Sequence, residues 1–266
     1  MFKKILIYLG WSLLALMAGA YFFYAEMLTR QNRSSEVCKG IKVTLLDSAE
    51  NKFVAKSEVI DIIEEFTGTV IGKRRDEINL ANIEKLLEKR SAIKASQVSL
   101  GIDGIMKVDI TQRRPLLRIE TANGGFYIDE TAYIFPLVDA FTSYVPIVSG
   151  NIPLNIEKEH RGEILDDPEG WTDKIMELGI FLTENPFWDA MVEHIYISSN
   201  GDVLLSPKVG NFEINIGDLN NLDSKFSRLL AFYKNIAPHE GWEKYKAVNL
   251  KYKNQIICTL NKNKKK

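Results

Sequence analysis

The chain has 266 residues, 45% hydrophobic and 26% charged, with a net charge of -1. That balance belongs to folded proteins able to bury a core, and it excludes both a disordered tail and a nucleic-acid-coating protein, which would need a strongly basic face. Domains commonly run to about 100–200 residues, so the length allows one or two.

The chain opens on "ILIYLGWSLLALMAGAYFFYA", Ile5 to Ala25, which carries no charged residue. An apolar run of about 20 residues is long enough to cross a bilayer as a helix. A cleaved signal peptide is the rival reading, with Ala18-Gly19-Ala20 as its cleavage site, but secretory apolar regions run to only about 7–15 residues. The longer run predicts an uncleaved anchor. Lys3 and Lys4 precede it, while Arg30, Arg33 and Lys39 follow. Because long domains translocate largely regardless of charge, the expectation is a cytoplasmic N-terminus with everything after Glu26 outside. Without Lys3 and Lys4 the exported part keeps 32 basic and 35 acidic residues, which calls for no nucleic acid. Cys38 and Cys258 are expected to be a loop thiol and a strand-packed thiol, with a bridge as the alternative, since two isolated cysteines make a poor disulfide framework.

Residues 26–40, "EMLTRQNRSSEVCKG", read as a polar linker. "IKVTLLDS" is a strand candidate. In "SEVIDIIEEFTG" the spacing of Val59, Ile60, Ile62, Ile63 and Phe66 predicts a helix, with Ser57 as cap and Gly68 as stop. "NLANIEKLLEKR" predicts a second, capped by Asn79, with Leu80, Ile83, Leu86 and Leu87 on one face. "ASQVSLGI" and "IMKVDITQR" alternate about Asp103-Gly104, a hairpin signal. Strand, helix, helix, strand, strand fits a small α+β unit with two helices on one face of a three-stranded sheet. Pro115, in "QRRPLLRIE", cannot donate to a ladder, so it is expected to release the chain into the edge strand of a different sheet.

Beyond Pro115 the chain turns towards β structure. "LLRIETANGGFYIDETAYIFPL" reads as a meander with turns at Asn123-Gly124-Gly125 and Asp129-Glu130-Thr131. "SYVPIVSGNIPLNIEKEH" reads as a proline-spaced loop, and Trp171 to Glu184 as an amphipathic helix stopped before Asn185-Pro186. Strands resume at "EHIYISSNGDVLLSP", turning at Asn200-Gly201, and at "NFEINIG". Leu222 to Tyr233 is a further helix, and "AVNLKYKNQIICTL" two strands joined near Lys253-Asn254-Gln255. The tail "NKNKKK" reads as solvated and frayed.

Catalytic signals are thin: three histidines, and no nucleophile elbow, H-E-x-x-H, Walker loop or G-x-G-x-x-G. His160 stands among Glu157, Glu159 and Glu163, but no second histidine lies at ligand spacing, so a solvated surface is expected. His194 and His239 read as ordinary surface or packing histidines. Asp166, Asp167 and Glu169, beside Pro168 and Gly170, read as a turn before a helix. No catalytic residue, cofactor site or metal site is expected. A binding function needs only a surface, and the C-terminal strands offer one, where Val248, Leu250 and Tyr252 alternate with Asn249, Lys251 and Lys253: if the last strand is an edge, its free backbone groups can accept another chain's strand, although on general grounds lysines and the tail are expected to protect it.

In order, these features resemble the bitopic cell-division proteins called FtsQ or DivIB. The resemblance rests on the strand-helix-helix-strand-strand order from Ile41 to Arg113 and on Gln112-Arg113-Arg114-Pro115 at the family's E-R-x-P junction. It rests further on "FYIDETAYIFPL", on "VPIVSG" at its L-P-x-I-x-G, on "FEINIGD" before "KFSRLLAFY", and on "VNLKY" at its I/V-D-L/M-R-Y. Gln112 and Asn249 depart from it, each standing where the family has an acid.

The resemblance implies an α+β protein: cytoplasmic tail and membrane helix (1–25), linker (26–40), a polypeptide-transport-associated (POTRA) domain (41–114), a mostly antiparallel β domain with two or more helices (115–260), and a basic tail (261–266). It implies a non-enzymatic division scaffold in the inner membrane, at the septum. Partners would be coiled-coil division proteins of the FtsB/DivIC and FtsL type, and further division proteins through the POTRA domain. By the same resemblance Lys251 and Tyr252 bind the partner and Ile256, Ile257, Cys258 and Thr259 supply the paired backbone. The alternatives are a POTRA-bearing outer-membrane assembly or secretion component, which would need tandem copies or a barrel, and an anchored periplasmic hydrolase.

Overall fold

The computed structural model describes residues 11, 13–25, 36–47, 52–167 and 170–261. Residues 11 and 13–25 are helical with largely exposed side chains. Residues 5–10 and 12 of the expected membrane span lie outside the described residues, as do 26–35 of the expected linker and 262–266 of the tail. Among the described residues no helix is long and apolar enough to cross a membrane.

The chain divides into two compact units, the first comprising Met1–Glu50 and Val54–Gln112, the second Asn51–Phe53 and Arg113–Lys266. In the first, β1 (Gly40–Leu45), α1 (Lys56–Thr67), α2 (Leu80–Leu87), β2 (Ile93–Leu100) and β3 (Ile105–Gln112) follow in the expected order. The sheet runs β1-β3-β2, with β1 parallel and β2 antiparallel to the central β3. Val59, Ile62 and Ile63 of α1 and Ile83 and Leu87 of α2 are buried at helical spacing. Asn79 caps α2 by accepting from the Asn82 N–H, but α1 starts at Lys56, ahead of Ser57, and Phe66 is exposed. Gln112, 2% exposed, ends β3: its Oε1 accepts from Val54 N–H at 3.0 Å and its Nε2 donates to Asp47 Oδ1 at 3.2 Å.

The second unit is built on a nine-stranded mixed sheet. Its strands are β4 (Pro115–Thr121), β5 (Gly124–Asp129), β6 (Ile134–Pro136), β7 (Ile147–Gly150), β8 (Val192–Ile197), β9 (Val203–Pro207), β10 (Glu213–Gly217), β11 (Tyr245–Asn249) and β12 (Ile257–Leu260), ordered β12-β11-β10-β9-β8-β7-β4-β5-β6. Five pairings are antiparallel, and β4–β7, β7–β8 and β10–β11 are parallel. Two expectations fail here. β4 is an interior strand, not an edge. It tolerates Pro115 because a proline can be the first residue of a strand, and the pairing with β7 begins only at Arg118. The stretch read as a proline-spaced loop contains β7, in the middle of the sheet.

The helices are α3 (Trp171–Glu184), α4 (Pro186–Met191), α5 (Leu222–Asn235) and the short α6 (Ala237–Glu240). Asp167, expected in a turn, lies three residues before Gly170, the N-cap of α3, and both its carboxylate oxygens accept from Thr172 N–H in the first turn at 3.1 Å. Gly179 of α3 lies against the sheet, where a Cβ would come within 2.9 Å of Leu116 Cγ. Phe226 of α5 packs against Phe181 at a tilt and meets Trp188 edge to face, as Phe232 meets Tyr245 of β11. Gly150, closing "VPIVSG", has φ 97°, and a Cβ there would stand 2.2 Å from Ile197 O, so both backbone and space demand glycine. Asp129 is wholly buried: it accepts from Arg113 Nη1 at 2.7 Å, Thr131 N–H at 2.8 Å, Thr131 Oγ1 at 2.6 Å and Tyr133 N–H at 3.1 Å. The Arg113 guanidinium also lies over the Tyr133 ring.

Candidate partner-docking edge

A sheet has two edges, and in the second unit they are treated differently. At one end lies β6. Ile134 donates its N–H to Gly162 O at 2.9 Å and accepts from Gly162 N–H at 3.0 Å, and two residues on stands Pro136, which has no N–H. That edge is closed. At the other end lies β12, paired with β11 on one side only. Asn261 N–H bonds inward to Lys244 O, so strand alternation turns the N–H and C=O of Cys258 and Leu260 outward. No partner for these groups occurs among the described residues.

The expected binding residues gather here. Tyr252 and Ile257 are exposed apolar side chains, at 49% and 44% of full accessibility, and Leu260, which the sequence reading did not single out, joins them at 53%. Thr259 is exposed beside them, while Ile256 and Cys258 pack partly against the core. Burial pushes the Cys258 thiol above its ordinary value. Both cysteines are free: Cys38 is buried just before β1 and Cys258 sits on β12.

Lys251 is engaged within its own unit. Its Nζ bonds both Asp202 oxygens, at 2.8 and 3.0 Å. Burial opposes ionisation of Asp202, but hydrogen bonds from Lys251, Asn215 and Asn200 and the Lys251 charge outweigh it and hold the carboxyl below its usual range. The same partner raises Lys251. Asn249, where the family pattern has an acid, uses its side-chain oxygen to accept from Lys251 N–H at 2.9 Å, so the departure keeps an acceptor at the turn.

Sequence reasoning missed the main support of this ribbon. Arg228 of α5 gathers three carbonyls of the β11–β12 turn: Nη1 donates to Tyr252 O at 2.7 Å and to Gln255 O, and Nη2 to Leu250 O at 3.1 Å. One guanidinium with five fixed donors can hold a turn in this way. Neither Arg228 nor Asp202 carries a sequence signal, because each meets the turn only through tertiary packing.

Elsewhere, no group of three potential ligands positioned for a metal occurs among the described residues, and His160 Nε2 is buried without a hydrogen bond. Ser149 Oγ lies 2.9 Å from His194 Nε2, but no third group among the described residues orients that ring as an acyl-transfer relay requires.

Two family models match the chain. A POTRA-like domain covers residues 36–111, and the model described as FtsQ/DivIB, C-terminal related, covers residues 114–259. No curated protein matches. With the second model spanning more than half of the chain, the chain belongs to the FtsQ/DivIB family of cell-division proteins.

Proposed function

We propose that this protein is a non-enzymatic scaffold of the division machinery that captures a coiled-coil partner of the FtsB/DivIC or FtsL type by strand addition to β12. The observation that carries this reading is the contrast between the two sheet edges: β6 is closed by Gly162 and Pro136, while β12 presents outward backbone groups at Cys258 and Leu260. An added strand bonds those groups, and its alternate side chains meet Tyr252, Ile257 and Leu260. Lys251 and Arg228 act as positioning residues. They hold the turn in its docking geometry, and Lys251 can still reach an acidic partner side chain because it is exposed. The first unit recruits other division proteins. Residues 5–25 anchor the chain in the inner membrane, a reading supported by the uncharged length of the segment, and the N-terminus lies in the cytoplasm because long domains translocate largely regardless of charge.

The test is co-purification of the partner with full-length chain from native membranes. Tyr252→Ala and Leu260→Pro each abolish it while the unfolding transition stays near wild type. Partner capture retained by both variants rejects the β12 edge as the docking site.

A further inference from the structure

The first unit's sheet also has edges, and β2 is one of them. Three of its outward backbone groups are taken by side chains. Ser96 N–H donates to Glu88 Oε1 at 3.2 Å, Val98 N–H donates to Glu84 Oε1 at 2.7 Å, and Leu100 C=O accepts from Arg75 Nη1 at 2.7 Å. The Ser96 hydroxyl adds a bond to Glu84 O at 3.1 Å. Carboxylates take the donors and a guanidinium takes the acceptor, as a neighbouring strand's carbonyls and amides would.

The register is a consequence of repeat lengths. Glu84 and Glu88 are four residues apart on α2 and its cap, a rise of about 6 Å along a helix. Ser96 and Val98 are two apart on β2, about 6.8 Å along a strand. The two spacings nearly coincide, so with helix and strand side by side in opposite directions each carboxylate meets one N–H.

We infer that Glu84, Glu88 and Arg75 form an intramolecular latch that stands in for an added strand and closes the β2 edge against pairing with another chain. Charged side chains facing an edge are a known means of blocking strand addition, and here they also take both N–H groups of Ser96 and Val98 and the C=O of Leu100 that an added strand would use. This inference concerns the first unit alone and does not depend on the β12 reading.

The test compares full-length, detergent-solubilised wild type with Glu84→Ala/Glu88→Ala and with Glu84→Gln/Glu88→Gln, by amide hydrogen exchange and sedimentation velocity. In wild type the Ser96 and Val98 amides are protected although they lie on an edge strand. The alanine pair exchanges them about tenfold faster or more, as loss of a charge-assisted hydrogen bond predicts, and forms a concentration-dependent heavier species. The glutamine pair, whose amide oxygens still accept, behaves as wild type. Unprotected amides in wild type, an alanine pair that stays at wild-type mass at every concentration, or a glutamine pair that assembles as the alanine pair does each overturns the latch. Should the alanine pair fail to fold, Glu88→Ala decides: Ser96 then exchanges faster while Val98 keeps its protection, and an unchanged Ser96 overturns the inference.

Discussion

At the scale of single residues, the buried polar groups decide the most. Asp129 is a carboxylate removed from water and repaid by four donors, with Arg113 as its counter-charge. Asp129→Ala strands that guanidinium and is expected to destabilise the second unit by about 3–5 kcal/mol, read from chemical denaturation. Gln112 shows why this chain lacks the family's junction acid: its amide must donate to Asp47, and a carboxylate there would face another carboxylate in a buried place. Gln112→Glu is accordingly expected to cost about 1–3 kcal/mol in the same measurement. The Lys251–Asp202 pair gives a pH dependence whose sign follows from its two shifts. Asp202 is depressed, so its contribution is present above the ordinary 3.8 and is lost as the pH falls through its lower folded value. Lys251 is raised, so its contribution is present below the ordinary 10.5 and is lost as the pH rises through its higher folded value. Partner affinity is therefore expected to be level between about pH 5 and pH 9 and to fall in stronger acid, and Asp202→Asn removes part of that acid fall in a binding titration.

At the scale of elements, periodicity made the long helices readable. The spacing of Leu222, Phe226, Leu229 and Tyr233 marks α5 because a helix with one buried face must repeat its apolar residues about every 3.6 positions, and these four are buried. The same logic fails for β7, whose four residues lie between two parallel neighbours and are too few to carry a period. α3 ends at Glu184, before Asn185-Pro186, as its pattern predicts, and Pro186 also starts the next helix: Asn185 caps α4 by accepting from Phe187 and Trp188 N–H, and proline at the first helical position loses no bond. The alternation of β12 separates two proline substitutions that look alike in sequence. Ile257→Pro removes an N–H directed at β11 and loosens the ribbon, while Leu260→Pro removes one directed outward and spares it. Hydrogen exchange along β11 is expected to rise in the first variant and not in the second. Arg228→Ala frees three carbonyls of the turn and is expected to weaken partner binding about tenfold or more without touching the partner, each charge-assisted bond contributing about 1.5–3 kcal/mol.

At the scale of the whole molecule, each unit covers one edge of its sheet by local means, β2 in the first and β6 in the second, while β12 has no strand on its outer side among the described residues. Gly162 lies in the connection between β7 and α3, and its bridge to Ile134 gives that connection a structural role. The chain's own order of apolar runs, breakers and hairpin turns determined the α+β class, the strand-helix-helix-strand-strand beginning, most of the later elements and, through their sequence resemblance, the family. These depend on interactions between near neighbours along the chain, which leave a periodic trace. Only the tertiary structure decided that β4 and β7 are interior, that β6 is closed and β12 open, that Lys251 is tied to Asp202, and that Arg228 holds the turn. Those contacts join residues from 22 to 49 positions apart in the cases of Arg228–Leu250 and Lys251–Asp202. A side chain's hydrogen-bonding partner at such a distance is set by which strands lie side by side, and no local pattern of residue types encodes that adjacency.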